Sequence, residues 1–328
     1  MTRLLVSIRS LSRGRIRLSL VGSEMCIRDR NTPILEIVDF LNARARENQW
    51  GFVDFNRPMV AINQWEQAED SMYTLCGKDR IHPSTDGHLV MAYLFLKAQG
   101  LAGKPVADIR IDGAGKKVTR SDNCRVSDLS VSSDNLTFTY EAKSLPYPID
   151  TSYYDNEKHT QADALSVIPF MDEMNYEGLS VSGLSDGYYG LTIGGEFIGR
   201  FTARELERGI NMALLQNTPQ YKQAMKIRQM NEERWLKERK MREFYWVEYN
   251  LMRKTGMLWA CNEAAVDTLR KYRPHDIFLQ WNGALWLQYM HKGIREDCVN
   301  EQQDLVNQIY EQNKPIPLQI EVKKFTDL

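Results

Sequence analysis

The spacing of hydrophobic residues changes twice along this chain, near residue 106 and again near residue 201. Before 106 the sequence is typical of helices with one short apolar strand. Between 106 and 200 it alternates with the period of two that β-strands show, and after 201 the spacing is helical again. We find no internal repeat. These patterns predict a mixed α/β protein with an antiparallel β unit between two other regions.

The composition is that of an ordinary globular protein, and it excludes a disordered or collagen-like chain. Hydrophobic residues make up 43% of the sequence and charged residues 26%. The 42 basic and 43 acidic residues nearly cancel, which gives no general reason to expect nucleic acid as a partner. No apolar run reaches the roughly 18 residues of a membrane span. A length of 328 residues predicts about two domains, at roughly 150 residues each.

Residues 1–30 differ from the rest because they carry seven arginines and only two acidic residues. Such a tract is also found in transit peptides and nucleic-acid-binding arms. The segment Leu20–Arg30, however, matches residue for residue one reading frame of a transposon-type sequencing adapter. We therefore interpret 1–30 as an artefactual, disordered leader joined to a gene that begins in its middle near Asn31. On this interpretation the true N-terminus is missing, and a secreted or periplasmic location of the parent protein stays open.

The first region after this leader predicts part of an α/β fold. Apolar residues at helical spacing predict a helix over 34–46, and the apolar run 50–55 predicts a short strand that ends before Pro58. A second helix is predicted over 86–99, ending at Gly100. A helix followed by a buried strand favours a parallel sheet of the βα type.

Local signals place the helices after residue 201. Thr202 and Glu205 form a capping box, and Thr218 followed by Pro219 predicts the start of a long charged helix that runs to about Lys254. Pairs of opposite charge four residues apart, Glu233–Lys237 and Glu238–Arg242, support this helix. Further helices are predicted over 260–272, 281–292 and 300–312, and a strand over 317–323.

The stretch Asp79-Arg80-Ile81-His82-Pro83 carries the chemistry of this sequence. A histidine can act as general base for a hydroxyl nucleophile, and an aspartate that accepts a hydrogen bond from Nδ1–H fixes the tautomer and stabilises the imidazolium. A loop before a helix lets the Asp79 carboxylate reach the His82 imidazole. The spacing D-x-x-H alone also fits an exposed, salt-bridged histidine.

The surrounding sequence resembles a known family. DRIHPSTDGHLVMAYLFLKAQG (79–100) resembles the last conserved block of SGNH (GDSL-type) hydrolases, and the VDF strand before Pro58 looks like the strand that enters this block. The downstream runs resemble the C-terminal extension of a bacterial subgroup of that family. In chain order these runs are GLSVSGL, YYGLTI, FTARELERGINMALL and TPQYKQA.

The resemblance implies an α/β fold and a serine esterase. Residues 31–104 would be the C-terminal part of a flavodoxin-like three-layer SGNH hydrolase domain, followed by an antiparallel β unit (105–200) and a mainly helical region (201–328). Asp79 and His82 would be the acid and base of a Ser-His-Asp triad. The family's nucleophile lies in a Gly-Asp-Ser block and an oxyanion donor in a G-x-N-D block, and residues 31–328 contain neither before Asp79. The chain would thus be an inactive fragment of an esterase.

The same resemblance implies a small-molecule or carbohydrate ester as substrate, with acyl groups on carbohydrates favoured. It implies no metal and no organic cofactor. The oligomeric state is open. Four cysteines outside the leader, Cys76, Cys124, Cys261 and Cys298, fit either two disulfides or four buried thiols.

Two alternatives compete with the esterase. One is a non-catalytic structural or partner-binding protein that acts through the long charged helix. The other is an unrelated hydrolase that uses Ser185, because residues 183–187 match the nucleophile elbow G-x-S-x-G. The alternating flanks of Ser185 favour a hairpin turn instead. An aromatic-rich stretch at residues 235–249 could stack on sugars, but packing between helices is the favoured interpretation.

Overall fold

The structure is a computed structural model that describes residues 17–18, 31–77, 79–153 and 159–325. It is a mixed α/β protein with several sheets and a helical C-terminal region. The chain divides into two compact units. The first contains the described residues up to Val106 together with Ile149–Glu177, and the second contains Ala107–Pro148 together with the residues from Gly178 onward. This division differs from the contiguous segments 31–104, 105–200 and 201–328.

The first unit is mostly helical. Its elements in chain order are β1 (Arg17–Leu18), α1 (Asn31–Glu47), β2 (Phe52–Val53), α2 (Asn56–Glu66), α3 (Thr85–Ala98), a 3-10 turn (Gln161–Ser166) and α4 (Phe170–Glu173). Helices α1 and α3 confirm the helices predicted over 34–46 and 86–99. Strands β1 and β2 pair in parallel.

The leader prediction needs a correction at one point. Arg17 and Leu18 lie opposite Phe52 and Val53, so two residues of the segment expected to be disordered pair with β2. The backbone of β2 offers N–H and C=O groups that a segment of any sequence can pair with. The rest of the leader lies outside the described residues.

Helix α2 was not predicted. Pro58 does not end a strand but is the third residue of this helix. Proline is tolerated in the first turn because the N–H groups there have no partner within the helix. The Asp54 carboxylate accepts hydrogen bonds from the Arg57 N–H at 3.1 Å and from its guanidinium at 2.6 Å, which stabilises this start.

Residues 149–177 belong to the first unit because α4 is tied to the end of α3. The Glu173 carboxylate accepts hydrogen bonds from Tyr93 Oη at 2.8 Å and from Lys97 Nζ at 2.9 Å, while the Glu173 carbonyl accepts one from the Gly103 N–H at 2.7 Å. The hydrogen bond from Lys97, together with that from Tyr93, lowers the pKa of Glu173. Contacts across about 80 residues of sequence are not visible in local periodicity.

The second unit contains a β-sandwich. Its strands are β3 (Ala107–Asp112), β4 (Lys117–Asp122), β5 (Cys124–Val131), β6 (Asn135–Ala142), β7 (Glu177–Ser182), β8 (Tyr188–Ile193), β9 (Glu196–Thr202), β10 (Ile210–Asn211) and β11 (Leu318–Lys324). Four strands form one sheet in the order β10-β7-β3-β4, and five form another in the order β5-β6-β11-β8-β9. The five-stranded sheet is antiparallel throughout. Inward-facing side chains of both sheets share one hydrophobic core.

The last strand lies in the middle of the five-stranded sheet. Ile320 of β11 is opposite Phe138 of β6 on one side and Ile193 of β8 on the other. Leu318, Ile320 and Val322 are buried, as the alternation of this segment requires. The sandwich therefore closes only with residues that follow the helical region.

The helical region joins β9 to β11. It contains α5 (Ala203–Arg208), α6 (Pro219–Val247) with a π turn at Glu248–Met252, α7 (Glu263–Tyr272), α8 (Ile277–Tyr289) and α9 (Lys292–Gln312). The capping box of Thr202 and Glu205 is confirmed, as is the Thr218 cap with Pro219 in the first turn. None of the helices in the described part of the chain is long and apolar enough to cross a membrane.

A buried carboxylate organises the end of α6. Glu248 is 1% exposed and accepts hydrogen bonds from the Trp286 indole at 2.7 Å and from the Trp259 N–H at 2.8 Å. Phe244 and Trp286 are fully buried in the core that these helices share. The four cysteines of the described residues are free thiols, of which Cys261 alone is exposed.

Candidate active site

Asp79 and His82 lie on a narrow loop that leads into α3. Cys76 and Pro83 form an antiparallel bridge at its base, and the Gly77 N–H donates to the His82 carbonyl at 2.8 Å. Arg80 at the tip has a φ of 55°, in the left-handed region. The backbone of the loop is therefore held by its own hydrogen bonds.

The two side chains predicted from D-x-x-H are in direct contact. Asp79 Oδ2 lies 2.6 Å from His82 Nδ1. Asp79 Oδ1 accepts hydrogen bonds from the N–H groups of Ile81, at 2.9 Å, and His82, at 3.1 Å. Both carboxylate oxygens are thus occupied, and this fixes the direction in which the carboxylate faces the ring.

The electrostatics of the pair define the tautomer. The hydrogen bond with the His82 ring, together with those from the two N–H groups, lowers the pKa of Asp79 to about 2. An ionised carboxylate can only accept, so the neutral form of the His82 ring carries its hydrogen on Nδ1 and presents a lone pair at Nε2. The His82 side chain is 81% exposed. An imidazole held in this way can accept a proton at Nε2 from a group that approaches from solvent.

The start of α3 positions this loop through Ser84, Asp86 and Gly87. Asp86 is 1% exposed, and its Oδ1 accepts hydrogen bonds from the Ser84 hydroxyl and from the Gly87 N–H at 2.8 Å. A Cβ on Gly87 would lie 2.1 Å from the Leu75 carbonyl oxygen. The loop and the helix approach each other so closely that only glycine fits there.

The sequence does not predict Asp86 as a site residue, but the second oxygen of its carboxylate has an unusual environment. Among the described residues no group donates a hydrogen bond to the buried Asp86 Oδ2, and His159 Nδ1 lies 3.8 Å from it. Burial raises the pKa of Asp86, and the Tyr73 ring packs edge-on against the His159 ring. Asp86 and His159 are 73 residues apart in the sequence. Only the tertiary structure brings them together, since no local pattern links them.

No hydroxyl group of the described residues is hydrogen-bonded to the His82 ring. Within the described ranges, no group of three or more His, Cys, Asp and Glu side chains is arranged to hold a metal ion. The described loop thus provides a base and its orienting carboxylate.

Ser185 does not lie in a nucleophile elbow. It connects β7 to β8, which belong to different sheets, so the segment is not the hairpin turn expected from the sequence. A strand follows it, where an elbow requires a helix. Ser185 Oγ accepts a hydrogen bond from Lys324 Nζ at 2.8 Å and lies 3.0 Å from Tyr189 Oη.

The aromatic-rich stretch of α6 divides into two groups. Phe244 is fully buried and Trp246 partly buried, as helix packing requires. Trp235, Tyr245 and Tyr249 are exposed. Packing between helices therefore accounts for only part of this stretch.

The chain is similar to one family model and to one solved structure. Residues 225–314 match the family model of the diltiazem deacetylase C-terminal helical domain. The solved structure of a gut microbial diltiazem-metabolizing enzyme is 37% identical in sequence and superposes with a TM-score of 0.88. That similarity covers 99% of this chain and 75% of the solved one. A comparison with curated proteins found no significant match.

Proposed function

Because the chain belongs to the family of a gut microbial diltiazem-metabolizing enzyme, we propose that it is part of an ester hydrolase. The matching family model carries the name of a diltiazem deacetylase, and removing an acetyl group is an acyl transfer to water. The observation that carries the proposal is the 2.6 Å contact between Asp79 and His82, with Nε2 open to solvent. This is the arrangement that activates a hydroxyl nucleophile.

The proposed mechanism assigns one role to each residue. Nε2 of His82 takes the proton of a serine hydroxyl as the oxygen attacks the ester carbonyl, and later returns that proton to the leaving alcohol. Asp79 keeps the imidazole in the required tautomer and stabilises its protonated form. The serine and the oxyanion donors would come from Gly-Asp-Ser and G-x-N-D blocks that residues 31–328 do not contain before Asp79. Residues 31–328 alone should therefore lack esterase activity.

The finer assignment is to the SGNH class. It is supported by the resemblance of residues 79–100 to the last block of that family and by the loop that holds Asp79 and His82 before an apolar helix. Acyl esters on carbohydrates are proposed as the substrate class on that resemblance alone.

The test is a kinetic comparison in the longer protein encoded by the intact gene. We expect this protein to hydrolyse p-nitrophenyl acetate and His82→Ala to lose most of kcat, because the base is removed. Asp79→Asn should reduce kcat/KM by about 10²-fold or more, somewhat less than the roughly 10⁴-fold known for a serine-protease triad, because backbone carbonyls can also orient a loop histidine.

The control is His88→Ala, which removes a second exposed histidine from α3, six residues from His82. It should leave kcat/KM unchanged. Wild-type activity in His82→Ala would refute the assignment of the base. A longer gene without a Gly-Asp-Ser block would argue instead for the partner-binding alternative.

That alternative has less support from the charged helix. Along α6 the charges pair with one another, as in Arg228–Glu232 at 2.8 Å and Arg239–Glu243 at 2.7 Å. A surface whose charges are mostly compensated within one helix gives little electrostatic specificity for a partner.

A further inference from the structure

A groove on the helical region is not explained by the proposed catalysis. It is open to solvent, has a volume of about 310 Å³, and lies between α6 and α8 within the second unit. This volume is at the lower end of the range for ligand sites, about 300–1,000 Å³. Five of its side chains come from α6 and one from α8: Trp235, Arg239, Arg242, Glu243, Trp246 and Asn282.

Two indole rings line the groove along the helix. Trp235 is 46% exposed, and Trp246 is partly buried against the Phe278 ring at a centroid distance of 5.3 Å. The two tryptophans are eleven residues apart, close to three full turns, so they share one face of α6 and are separated by about 16 Å along its axis. Such a spacing suits an extended ligand with several linked rings better than a single ring.

One cation of the groove is available for a ligand. Arg239 is paired with Glu243 at 2.7 Å. Among the described residues, the carboxylate paired with Arg242 is that of Glu238, at 4.0 Å, and the Arg242 guanidinium carbon lies 5.5 Å from the centre of the Trp235 ring. A guanidinium without a close carboxylate beside an exposed ring favours a ligand that carries a carboxylate.

The polar groups between the rings distinguish among ligand classes. Among the described residues, the Asn282 amide has no hydrogen-bond partner, and Glu243 offers acceptor oxygens beside it. Hydroxyl groups of a ligand can satisfy both. A nucleic acid would require several uncompensated cations for its phosphates. A docked helix would require a continuous apolar stripe, which Arg239 and Arg242 interrupt.

We propose that the groove between α6 and α8 binds an acidic oligosaccharide. The apolar faces of its sugar rings lie on Trp235 and Trp246, a carboxylate pairs with Arg242, and hydroxyl groups bond to Glu243 and Asn282. This inference goes beyond the proposed esterase and does not depend on it, because Asp79 and His82 take no part in the binding.

The test is calorimetric titration of the whole chain with a purified oligogalacturonide. The matched ligand is its carboxyl-reduced form, which keeps the linkages and loses the charge. We expect the acidic ligand to bind at least about tenfold more tightly than the neutral one, because the ion pair with Arg242 is lost in the latter. Trp235→Ala should weaken the acidic ligand by about tenfold, and Arg242→Gln should abolish the preference for the acidic form.

The control variants lie outside the groove. Trp65→Ala removes an indole that is 80% exposed on α2, and Arg270→Gln removes an exposed guanidinium of α7; both should bind like the wild type. Absence of binding, equal binding of both ligands, or unchanged binding in Trp235→Ala would each overturn the proposal. So would a dimer in light scattering that Trp235→Ala dissociates, because a second copy would then cover the groove. The titration has no catalytic step, so an inactive esterase would not affect its result.

Discussion

At the scale of single residues, Asp79 combines three hydrogen bonds in one exposed carboxylate. One comes from the ring that it orients, and two come from the N–H groups of Ile81 and His82. An exposed ion pair alone contributes little to stability, because water and salt screen it. The pair contributes by orienting the His82 ring. The two backbone hydrogen bonds hold the Asp79 carboxylate in place, and the carboxylate in turn holds the ring.

The pKa of Asp79 provides a direct test of this geometry. In the folded chain it should lie near 2, below its ordinary value of 3.8, and His82→Ala should raise it because the largest cause of the shift is removed. A lowered pKa in the folded state favours folding above about pH 3.8, and this contribution is lost as the pH falls toward about 2. Carbon-13 NMR titration of the aspartate carboxyl groups measures the shift. An ordinary value in the wild type, or an unchanged one in His82→Ala, would contradict the contact, and His88→Ala is the control.

For Ser185 we predict that substitution has no effect on catalysis. Its hydroxyl is engaged by Lys324 and Tyr189, and a strand follows it, so Ser185→Ala should leave the kcat/KM of the longer protein unchanged. Loss of these hydrogen bonds should lower stability by only about 1 kcal/mol. The measurement is labelling by a serine-directed fluorophosphonate together with hydrolysis of p-nitrophenyl acetate. Reduced labelling of Ser185→Ala would return this serine to the list of nucleophiles.

At the scale of elements, the sequence predicts the helices and strands whose sequence patterns involve residues close together in the chain. The caps at Thr202 and Thr218 consist of neighbouring residues, and the structure confirms both. The sequence does not predict helix α2, because Pro58 is typical of a strand end, whereas the side chain of Asp54 stabilises a helix start there. The spacing in D-x-x-H predicted the contact of Asp79 with His82 for the same local reason.

The start of α3 should be sensitive to a single methyl group. Gly87→Ala places a Cβ 2.1 Å from the Leu75 carbonyl oxygen, so either the helix or the loop must move. We expect a loss of more than about 2 kcal/mol in the free energy of unfolding, and a lower kcat/KM in the longer protein because the Asp79–His82 loop shifts. Urea denaturation measures the first effect. Gly293→Ala, which meets no atom within 4 Å, is the matched control and should be neutral or slightly stabilising.

At the scale of the whole molecule, sequence reasoning placed the strands but not their partners. The alternation of residues 317–323 predicted a strand, and β11 confirms it. Nothing local indicates that it pairs with β6, about 180 residues earlier, and with β8. The contiguous boundaries 105–200 and 201–328 do not capture this pairing. A strand in the middle of a sheet can come from a segment at any distance along the chain.

This topology predicts that the sandwich and the helical region unfold together. Ile320 is fully buried at the centre of the sheet, and β11 begins just after α9, whose end is held by hydrogen bonds from Gln223 to the Gln312 and Lys314 carbonyls at 2.8 Å. Ile320→Ala should cost about 2–5 kcal/mol, because the cavity lies between two packed sheets. Gln319→Ala, on the exposed face of the same strand, should cost less than about 1 kcal/mol.

The measurement is urea unfolding of Ile320→Ala followed by two signals, circular dichroism at a helical wavelength for the helices and amide hydrogen exchange of the β6 and β8 residues that pair with β11 for the sandwich. Both transitions should move to lower urea by the same amount, because a strand that follows the helices completes the sheet. A helical transition that stays at the wild-type midpoint while the sandwich unfolds would show that the helices fold independently, and that β11 is not what couples them.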